Sequence, residues 1–465
     1  MLRRELRWLH MAPVRPMNPL IAVVGTTGTG KSQLAVSLAE RFNGEIINGD
    51  ALQIYKGLPI TTNKIPIEER KGIPHHLLGC VELDEEPWTV RKFRDRASKT
   101  IGEIRSRGKL PILVGGTHYY TQSLLFKDAI VEQQGVDHLT EEEQGQKWPI
   151  LDASTEELLE ELRKVDPMMA RYWHPTDRRK IRRSLEIWLT TGRRASEIYD
   201  HQQRQLRNVR DIDIDRATEE PTKSSDNVHE RSVTGQYSPL SYDTLIFWTH
   251  VKKYMLNPRL SKRVDGMVSD GLLEEVQSTY SLLQEKCMNQ SAGISIAIGF
   301  KELLPYIIDG NNSESLKQEG IERVKIATRQ YAKQQGRWIR LRLQQALSAA
   351  DVSHRLFLLD ATDLSRWSQN VEEKAMEITT AFLGGGALPD PKSLSATAKE
   401  MLFTTEKITR AARHCDVCGK TLMNHEQWAL HVQSKGHKKA LTPKVDWQAL
   451  YPRSRPNVGR GEDEK

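Results

Sequence analysis

At 465 residues the chain is too long for one ordinary domain, so two or three domains are expected. Its 38% hydrophobic and 28% charged residues contain no apolar run near the ~20 residues a membrane helix needs, so no transmembrane segment is expected. The net charge of +7 suits a polyanionic partner, nucleic acid being the usual one, and on charge alone equally suits a generically basic soluble protein, while four cysteines with a single C-x-x-C pair offer no disulfide framework.

Residues 1–17, "MLRRELRWLHMAPVRPM", carry four arginines against one acid and read as a basic leader, a candidate mitochondrial presequence. Met17 could serve as a second start without touching the fold, which would send the product to two destinations. "LIAVVG" is apolar and β-rich and reads as a buried parallel strand. It runs into residues 25–32, Gly25, Thr26, Thr27, Gly28, Thr29, Gly30, Lys31 and Ser32, which fit the phosphate-cradling pattern G-x-x-x-x-G-K-[ST]. "KSQLAVSLAERFNG" has helical spacing with a closing Gly44, "EIINGD" is a strand ending in Asp50, "TVRKFRDRASKTIGEIRSRG" is an amphipathic helix, and "LPILVGGTHYY" is a third strand. Strand and helix alternating over 18–130 predict an α/β, doubly wound parallel sheet of P-loop type.

Residues 131–203 are helical and basic and read as an insertion; 204–240 are polar, lack a core, and read as a loose loop. Strand character returns at "TLIFWTHV", so 241–380 are expected to complete the α/β core with a helical extension. A linker is expected over 381–410, a small module over 411–440, and a disordered tail over 441–465.

Backbone N–H groups of such a loop close around phosphate oxygens at a helix N-terminus, where Lys31 adds a charge and the Ser32 hydroxyl a ligand for magnesium. Nucleotide hydrolases of this type carry a metal-binding acid at the end of a later strand, yet the third strand here ends in "LVGGTHYY". The strand-end carboxylate is Asp50, which could ligate a metal, as in small-molecule kinases, or act as a base; spacing leaves both open. The adjacent His75 and His76 diverge along the chain without nearby partner ligands, so a structural or RNA-facing role suits them better than a metal site. At the other end, Cys415-x2-Cys418-x12-His431-x5-His437 has the spacing of a closed tetrahedral zinc site, with Trp428 and Leu430 as its expected small core and His414 and His425 as bystanders.

The stretches "GTTGTGKSQLA", "NGDALQIYKGLPITTNK", "GIPHHLLG", "RGKLPILVGGTHYY", "HPTDRRKIRRSLEI", "RVDGMVSDGLLEEV", "IGFKEL" and "TRQYAKQQGRWI" follow one another over roughly 20–340. Together they resemble the tRNA dimethylallyltransferases, which isopentenylate an adenosine of tRNA, in the eukaryotic, fungal-like form that usually carries a C-terminal zinc finger. The resemblance implies that the loop, with Arg259, holds the diphosphate of dimethylallyl diphosphate, and that the acceptor is the exocyclic amine of the adenosine 3′-adjacent to the anticodon. It implies Asp50 as general base, Thr27 and Lys31 as catalytic groups on the diphosphate, and a catalytic magnesium on Ser32. It further implies Asp50, Ala51, Leu52, Gln53 and Thr117, with Tyr55, around the acceptor, and Arg178, Arg179, Lys180, Arg182 and Arg183 on tRNA phosphates. Arg263 is expected at the anticodon arm, with the diphosphate as its alternative.

A monomer in cytoplasm and mitochondrion, with the nucleus as a further destination, is expected. Departures from the family pattern are Gly49 and Ala51 beside Asp50, Ile296 before "IGFKEL", and Gln335 and Gly336. A small-molecule kinase would explain the loop and Asp50 but not the basic insertion or the finger. A non-catalytic RNA-binding protein with a relict loop would not explain why Thr27, Lys31, Ser32 and Asp50 are all intact.

Overall fold

A computed structural model of the chain describes residues 15–127, 147–201, 240–285, 293–403 and 410–441. Most of the expected leader, nearly all of the expected loop over 204–240, the start of the insertion, Cys287, and the expected tail from 442 onward lie outside the described residues.

The first unit comprises residues 1–131 and 200–406. It opens with β1 (Pro19–Gly25), whose apolar run is buried from Leu20 on, followed by α1 (Lys31–Arg41) and β2 (Gly44–Asn48). The two-residue β3 (His75–His76) precedes α2 (Val90–Ser106). Thr89 caps α2 by accepting a hydrogen bond from the Lys92 N–H, and the helix buries Phe93, Ala97, Ile101 and Ile104 at helical spacing. β4 (Leu110–Val114) and α3 (His118–Leu125) follow.

The second unit, residues 132–199 and 407–465, holds α4 (Thr155–Val165), α5 (Pro167–Tyr172) and α6 (Arg178–Thr191). The first of these starts from a capping box between Ser154 and Glu157. The first unit resumes with β5 (Asp243–His250), α7 (Lys253–Ser269), α8 (Leu272–Glu285), α9 (Phe300–Ile308) and the long α10 (Glu314–Trp338). It closes with α11 (Gln344–Ala349), β6 (Leu356–Asp360), α12 (Glu373–Gly384) and α13 (Ala396–Met401). β7 (Arg410–Cys415), β8 (Lys420–Asn424), α14 (His425–Gln433) and α15 (Lys435–Leu441) complete the second unit, where α5 lies against β7. Insertion and finger, separate in the sequence reading, therefore belong to one compact unit.

The large sheet is parallel throughout, in the order β3-β2-β4-β1-β5-β6. Chain order reverses on either side of β1, so the loops after β1, β2, β4 and β5 share one crevice at the strands' carboxyl ends. Each face carries its own apolar core: Ala22, Val24, Phe93, Trp248 and Leu343 on one, Ile21, Val23, Leu34, Phe247 and Phe357 on the other. Residues 381–403, the described part of the stretch read from the sequence as a linker over 381–410, pack into the first unit. Ala398 and Leu402 are fully buried against the first face, the Thr397 hydroxyl donates to Asp360 Oδ2 at 2.6 Å, and the Phe403 N–H donates to Gln344 Oε1 at 2.5 Å. Its apolar positions are too few and too short in extent to stand out as a periodic pattern.

Glu45 on β2 is a buried carboxylate held by His76 Nε2 at 2.6 Å, Arg107 Nη2 at 2.6 Å and Lys109 Nζ at 2.9 Å. Burial alone would raise its pKa, but the bonds from Arg107, Lys109 and His76 outweigh it and hold the group at about 2. Its stabilisation is complete above the ordinary 4.5 and is lost as pH falls from there toward 2. Glu45→Gln is expected to lower the unfolding free energy at pH 7 by about 1–3 kcal/mol, less than a fully buried pair because its cations reach solvent. It should also weaken the loss of stability over that acid window. Denaturant titrations at pH 7 and pH 3.5 measure both; equal stability of variant and parent at pH 7 would contradict this account.

A candidate active site at the carboxyl end of the sheet

After β1 the chain turns through the glycine loop into α1, whose first turn has no side-chain cap, leaving its N–H groups for an anion. Gly30 sits at φ +81°, and a Cβ there would lie 2.3 Å from the Trp367 ring, so both conformation and space require glycine. Thr29 Oγ1 donates to the Thr26 carbonyl at 2.9 Å and lies 2.8 Å from Thr249 Oγ1 at the end of β5, which pins the loop from below. Lys31 Nζ donates to the Thr26 carbonyl at 2.8 Å. Desolvation lowers the Lys31 pKa to about 8, with Asp50 pulling it upward and Arg263 pushing it further down. Thr26 Oγ1 and Arg263 Nε are buried without a hydrogen-bond partner among the described residues. Arg263 lies one turn beyond Leu260 on α7, the residue that meets Gly28 of the loop. Orphaned polar atoms around an uncapped helix terminus fit a bound diphosphate.

The second half of the site is built on the ends of β2 and β4. Asn48 clamps the turn after β2: its Nδ2 donates to the carbonyls of Asp50 and Leu77, and its Oδ1 accepts the Asp50 N–H at 3.0 Å. Asp50 Oδ1 accepts the Leu52 N–H at 3.1 Å, and the Ala51 N–H donates to Thr117 Oγ1 at 3.0 Å. Burial raises the Asp50 pKa, with the Leu52 N–H and the Lys31 charge opposing it. Gln335 on α10 joins the halves: its Oε1 accepts the Thr27 N–H at 2.8 Å and its Nε2 donates to the Gly116 carbonyl at 3.0 Å. The Tyr331 side chain, one turn earlier, lies beside Thr117 and Gln335, and burial followed by the Asp50 charge pushes its pKa far up. His118 stacks on Trp338 at 5.0 Å, with both ring nitrogens buried and unpartnered among the described residues. Burial, then the Lys31 charge, lowers its pKa to about 3, so the ring is neutral. A phosphate cradle and a desolvated carboxylate thus face one another through a shared polar network.

Residues 53–342 match the family model described as IPP transferase. The chain belongs to the IPP transferase family. Among similar curated proteins, the tRNA dimethylallyltransferase of Schizosaccharomyces pombe is 38% identical over 452 residues, covering 92% of this chain and 96% of that protein. That of Saccharomyces cerevisiae is 35% identical, covering 91% and 92%, and that of Homo sapiens 33% identical, covering 91% and 86%. A crystal structure of a eukaryotic dimethylallyltransferase acting on tRNA superposes with a TM-score of 0.72 at 33% identity, covering 91% of this chain and 96% of that one.

In this IPP transferase the loop residues Gly25 to Ser32, Asp50, Ala51 and Thr117 come together as described, with Ser32 exposed in the first turn of α1. Six of the expected residues are engaged elsewhere within the protein. Arg259 is turned to the carbonyls of Ala361 (3.0 Å) and Thr362, so it fastens the β6 end instead of facing the loop; Arg263 is the arginine whose charge acts on Lys31. Tyr55 is buried in the cluster around Ile54, Val264 and Phe300. Gln53 spends its amide N–H groups on the carbonyls of Thr62 (3.1 Å) and Asn63 (3.0 Å), and Leu52 packs toward the same cluster. Arg182 is drawn inside the second unit by Glu186 Oε1 at 2.5 Å and the Leu151 carbonyl at 3.3 Å, and Arg178 by the carbonyls of Leu151 and Ala153.

Arg179, Lys180 and Arg183 remain on the exposed face of α6, with Lys180 paired to Asp177 and Arg183 to Glu186. His76 serves Glu45, His75 Nδ1 lies 2.8 Å from the Ile73 carbonyl, and Ile296 is exposed. Sequence reasoning missed the constructive role of Gln335 and the participation of Tyr331, His118 and Trp338. The "TRQYAKQQGRW" stretch was the signal that could have found three of them.

Cys415, Cys418, His431 and His437 place one ligand atom each within 4.8 Å of one another. Cys415 Sγ to His437 Nδ1 is 3.6 Å, Cys418 Sγ to the same nitrogen 3.3 Å, and His437 Nδ1 to His431 Nε2 3.1 Å. A tetrahedron with arms of roughly 2.0–2.3 Å has edges of roughly 3.3–3.7 Å, so the donor set and its spacing fit zinc. Leu430 is exposed, which corrects its expected place in the core of the finger; Trp428 is half-buried near His431, with Arg413 over its ring. Cys418→Ser is expected to abolish bound zinc in elemental analysis of the purified chain and to unfold this module. Retention of one zinc per chain would contradict the ligand set.

Proposed function

We propose that the chain transfers the dimethylallyl group of dimethylallyl diphosphate to the exocyclic amine of the adenosine 3′-adjacent to the anticodon of tRNA, giving isopentenyladenosine and diphosphate. The observation that carries this reading is the single polar network joining the phosphate loop to Asp50, in a chain 38% identical to a curated tRNA dimethylallyltransferase. In the reaction the allylic C–O bond breaks, a C–N bond forms, and the amine proton leaves. Loop N–H groups, Lys31 and Arg263 stabilise the charge gathering on the departing diphosphate, and the Thr27 hydroxyl contacts it. Asp50 takes the amine proton and orients the adenine; its raised pKa makes it a better base than an exposed carboxylate. Its Oδ1 is held by the Leu52 N–H, which leaves Oδ2 for the amine. Ser32 is the protein group that would hold magnesium, with water and diphosphate oxygens as further ligands; bound there, the ion supplies additional positive charge to the leaving group.

Ala51 and Thr117 border the acceptor, and an unstacked base in a single-stranded loop reaches them at an unstacking cost on the order of a few kcal/mol. Arg179, Lys180 and Arg183 are the insertion's tRNA-phosphate contacts, with a salt-dependent contribution to binding. The zinc finger grips the tRNA outside the anticodon loop, and the protein acts as a monomer. The basic leader directs one product to the mitochondrion, while a start at Met17 leaves β1 intact for cytoplasm and nucleus.

Diphosphate release from dimethylallyl diphosphate, followed with and without unmodified tRNA and set beside ADP formation from ATP, tests this function. Release that requires tRNA, with no ADP formed, is expected. ADP formation without prenyl transfer would favour a small-molecule kinase and overturn the proposal.

A further inference from the structure

Gln335 is buried, on the long helix α10, more than two hundred residues from either partner it joins. One end of its amide accepts the Thr27 N–H of the phosphate loop, and the other donates to the carbonyl of Gly116. A Cβ added to Gly116 would lie 3.2 Å from Asp50 Oδ2 and 2.4 Å from Gln335 Nε2, so the glutamine occupies the space between loop and base. Tyr331, one turn back on the same helix, lies beside Gln335 and Thr117, and Thr117 Oγ1 accepts the Ala51 N–H beside Asp50. The bridge therefore ties the donor side to the acceptor side through one amide.

We propose that Gln335 is a positioning residue that sets the separation and alignment of the diphosphate-bearing loop and the Asp50 carboxylate, and so acts on the chemical step rather than on donor affinity. The inference rests on the transferase reading above. Because an amide supplies one acceptor and one donor, only an amide of this length satisfies both the Thr27 N–H and the Gly116 carbonyl. Leucine satisfies neither, and glutamate keeps the acceptor while setting a negative charge against the Gly116 carbonyl and near Asp50. A near-attack geometry loses rate steeply with displacement, about a hundredfold for roughly 1 Å, whereas the N–H groups of α1, Lys31 and Arg263 that would bind the diphosphate are not touched.

The test is a double-mutant cycle of Gln335→Leu and Gly116→Ala on the full zinc-loaded chain, with Asp50→Asn alongside. Gln335→Leu is expected to lower kcat for transfer to tRNA about 30–100-fold, while KM for dimethylallyl diphosphate and the calorimetric affinity for inorganic diphosphate stay within threefold. Gly116→Ala, whose added Cβ would meet Gln335 Nε2 at 2.4 Å and Asp50 Oδ2 at 3.2 Å, should lower kcat comparably, and the loss in the double variant should fall well short of the product of the single losses. Gln335→Glu should move the acid limb of the kcat–pH profile upward, since the added charge makes Asp50 harder to ionise. Multiplicative losses in the double variant, or a diphosphate affinity that falls as far as kcat, would overturn the positioning role. Absence of transfer by the unmodified protein would instead defeat the transferase reading, so the two failures are distinguishable.

Discussion

Asp50→Asn is expected to lower kcat for dimethylallyl transfer by about 10²–10⁴-fold, the range for a removed general base, and to leave affinity for dimethylallyl diphosphate within a fewfold. Asparagine preserves the shape and can still accept the Leu52 N–H through its carbonyl oxygen, so the turn held by Asn48 and Thr117 survives. What it cannot do is accept the amine proton as the C–N bond forms. Donor affinity is predicted to hold because the proposed function assigns the diphosphate to the loop, Lys31 and Arg263, not to the carboxylate. Removing the repulsion between two anionic groups could tighten donor binding slightly. Calorimetry with dimethylallyl diphosphate beside single-turnover transfer separates the two effects. A variant retaining more than a tenth of the parental single-turnover rate would remove Asp50 from the role of base.

The second large effect concerns Lys31. In the ligand-free protein its pKa is lowered to about 8 by desolvation, so the ammonium begins to lose its proton just above neutral pH. The profile of kcat/KM for dimethylallyl diphosphate reports the free protein and is expected to fall above pH 8. The profile of kcat reports the complex, where a diphosphate held against Lys31 would raise its pKa, so its alkaline limb should lie higher. Lys31→Arg should remove the limb from kcat/KM, because a guanidinium stays protonated across this range. Lys31→Ala should lower kcat/KM by about 10²–10³-fold, the scale for deleting one pre-aimed electrostatic group. On the acid side, activity should fall as Asp50 protonates, at a pH above the usual ~3.9 of an aspartate because burial raises its pKa. Coincident alkaline limbs in kcat and kcat/KM would show that Lys31 does not meet the diphosphate.

What could be read from the sequence was local. The loop from Gly25 to Ser32 declares itself because its spacing encodes backbone geometry, and β1, β2, β4 and β5 because buried parallel strands are continuous apolar runs. Cys415, Cys418, His431 and His437 were legible for the same reason, a ligand set compressed into one short module. The two-residue β3 was too short to register, and β6 lay in the part of 241–380 beyond the helical patterns, where no strand was singled out.

Long-range assembly was not legible. Gln335 lies on an ordinary helix, and nothing near it in the chain shows that Thr27 and Gly116 will meet its amide. Arg182 and Arg183 are neighbours of identical chemistry, but helical phase turns the first inward to Glu186 and the Leu151 carbonyl and leaves the second exposed. Arg259 and Arg263 are one turn apart, and their roles divide according to which face of α7 meets β6 and which meets the loop.

The most direct measurement follows labelled dimethylallyl diphosphate into two otherwise identical tRNA transcripts, one with adenosine and one with guanosine at the position 3′ of the anticodon, in magnesium buffer with the full-length protein. The label is predicted in isopentenyladenosine from the first transcript, absent from the second, and lost from both with Asp50→Asn. Label that enters both transcripts equally, or none in a folded protein that binds tRNA, would contradict the assignment of this site.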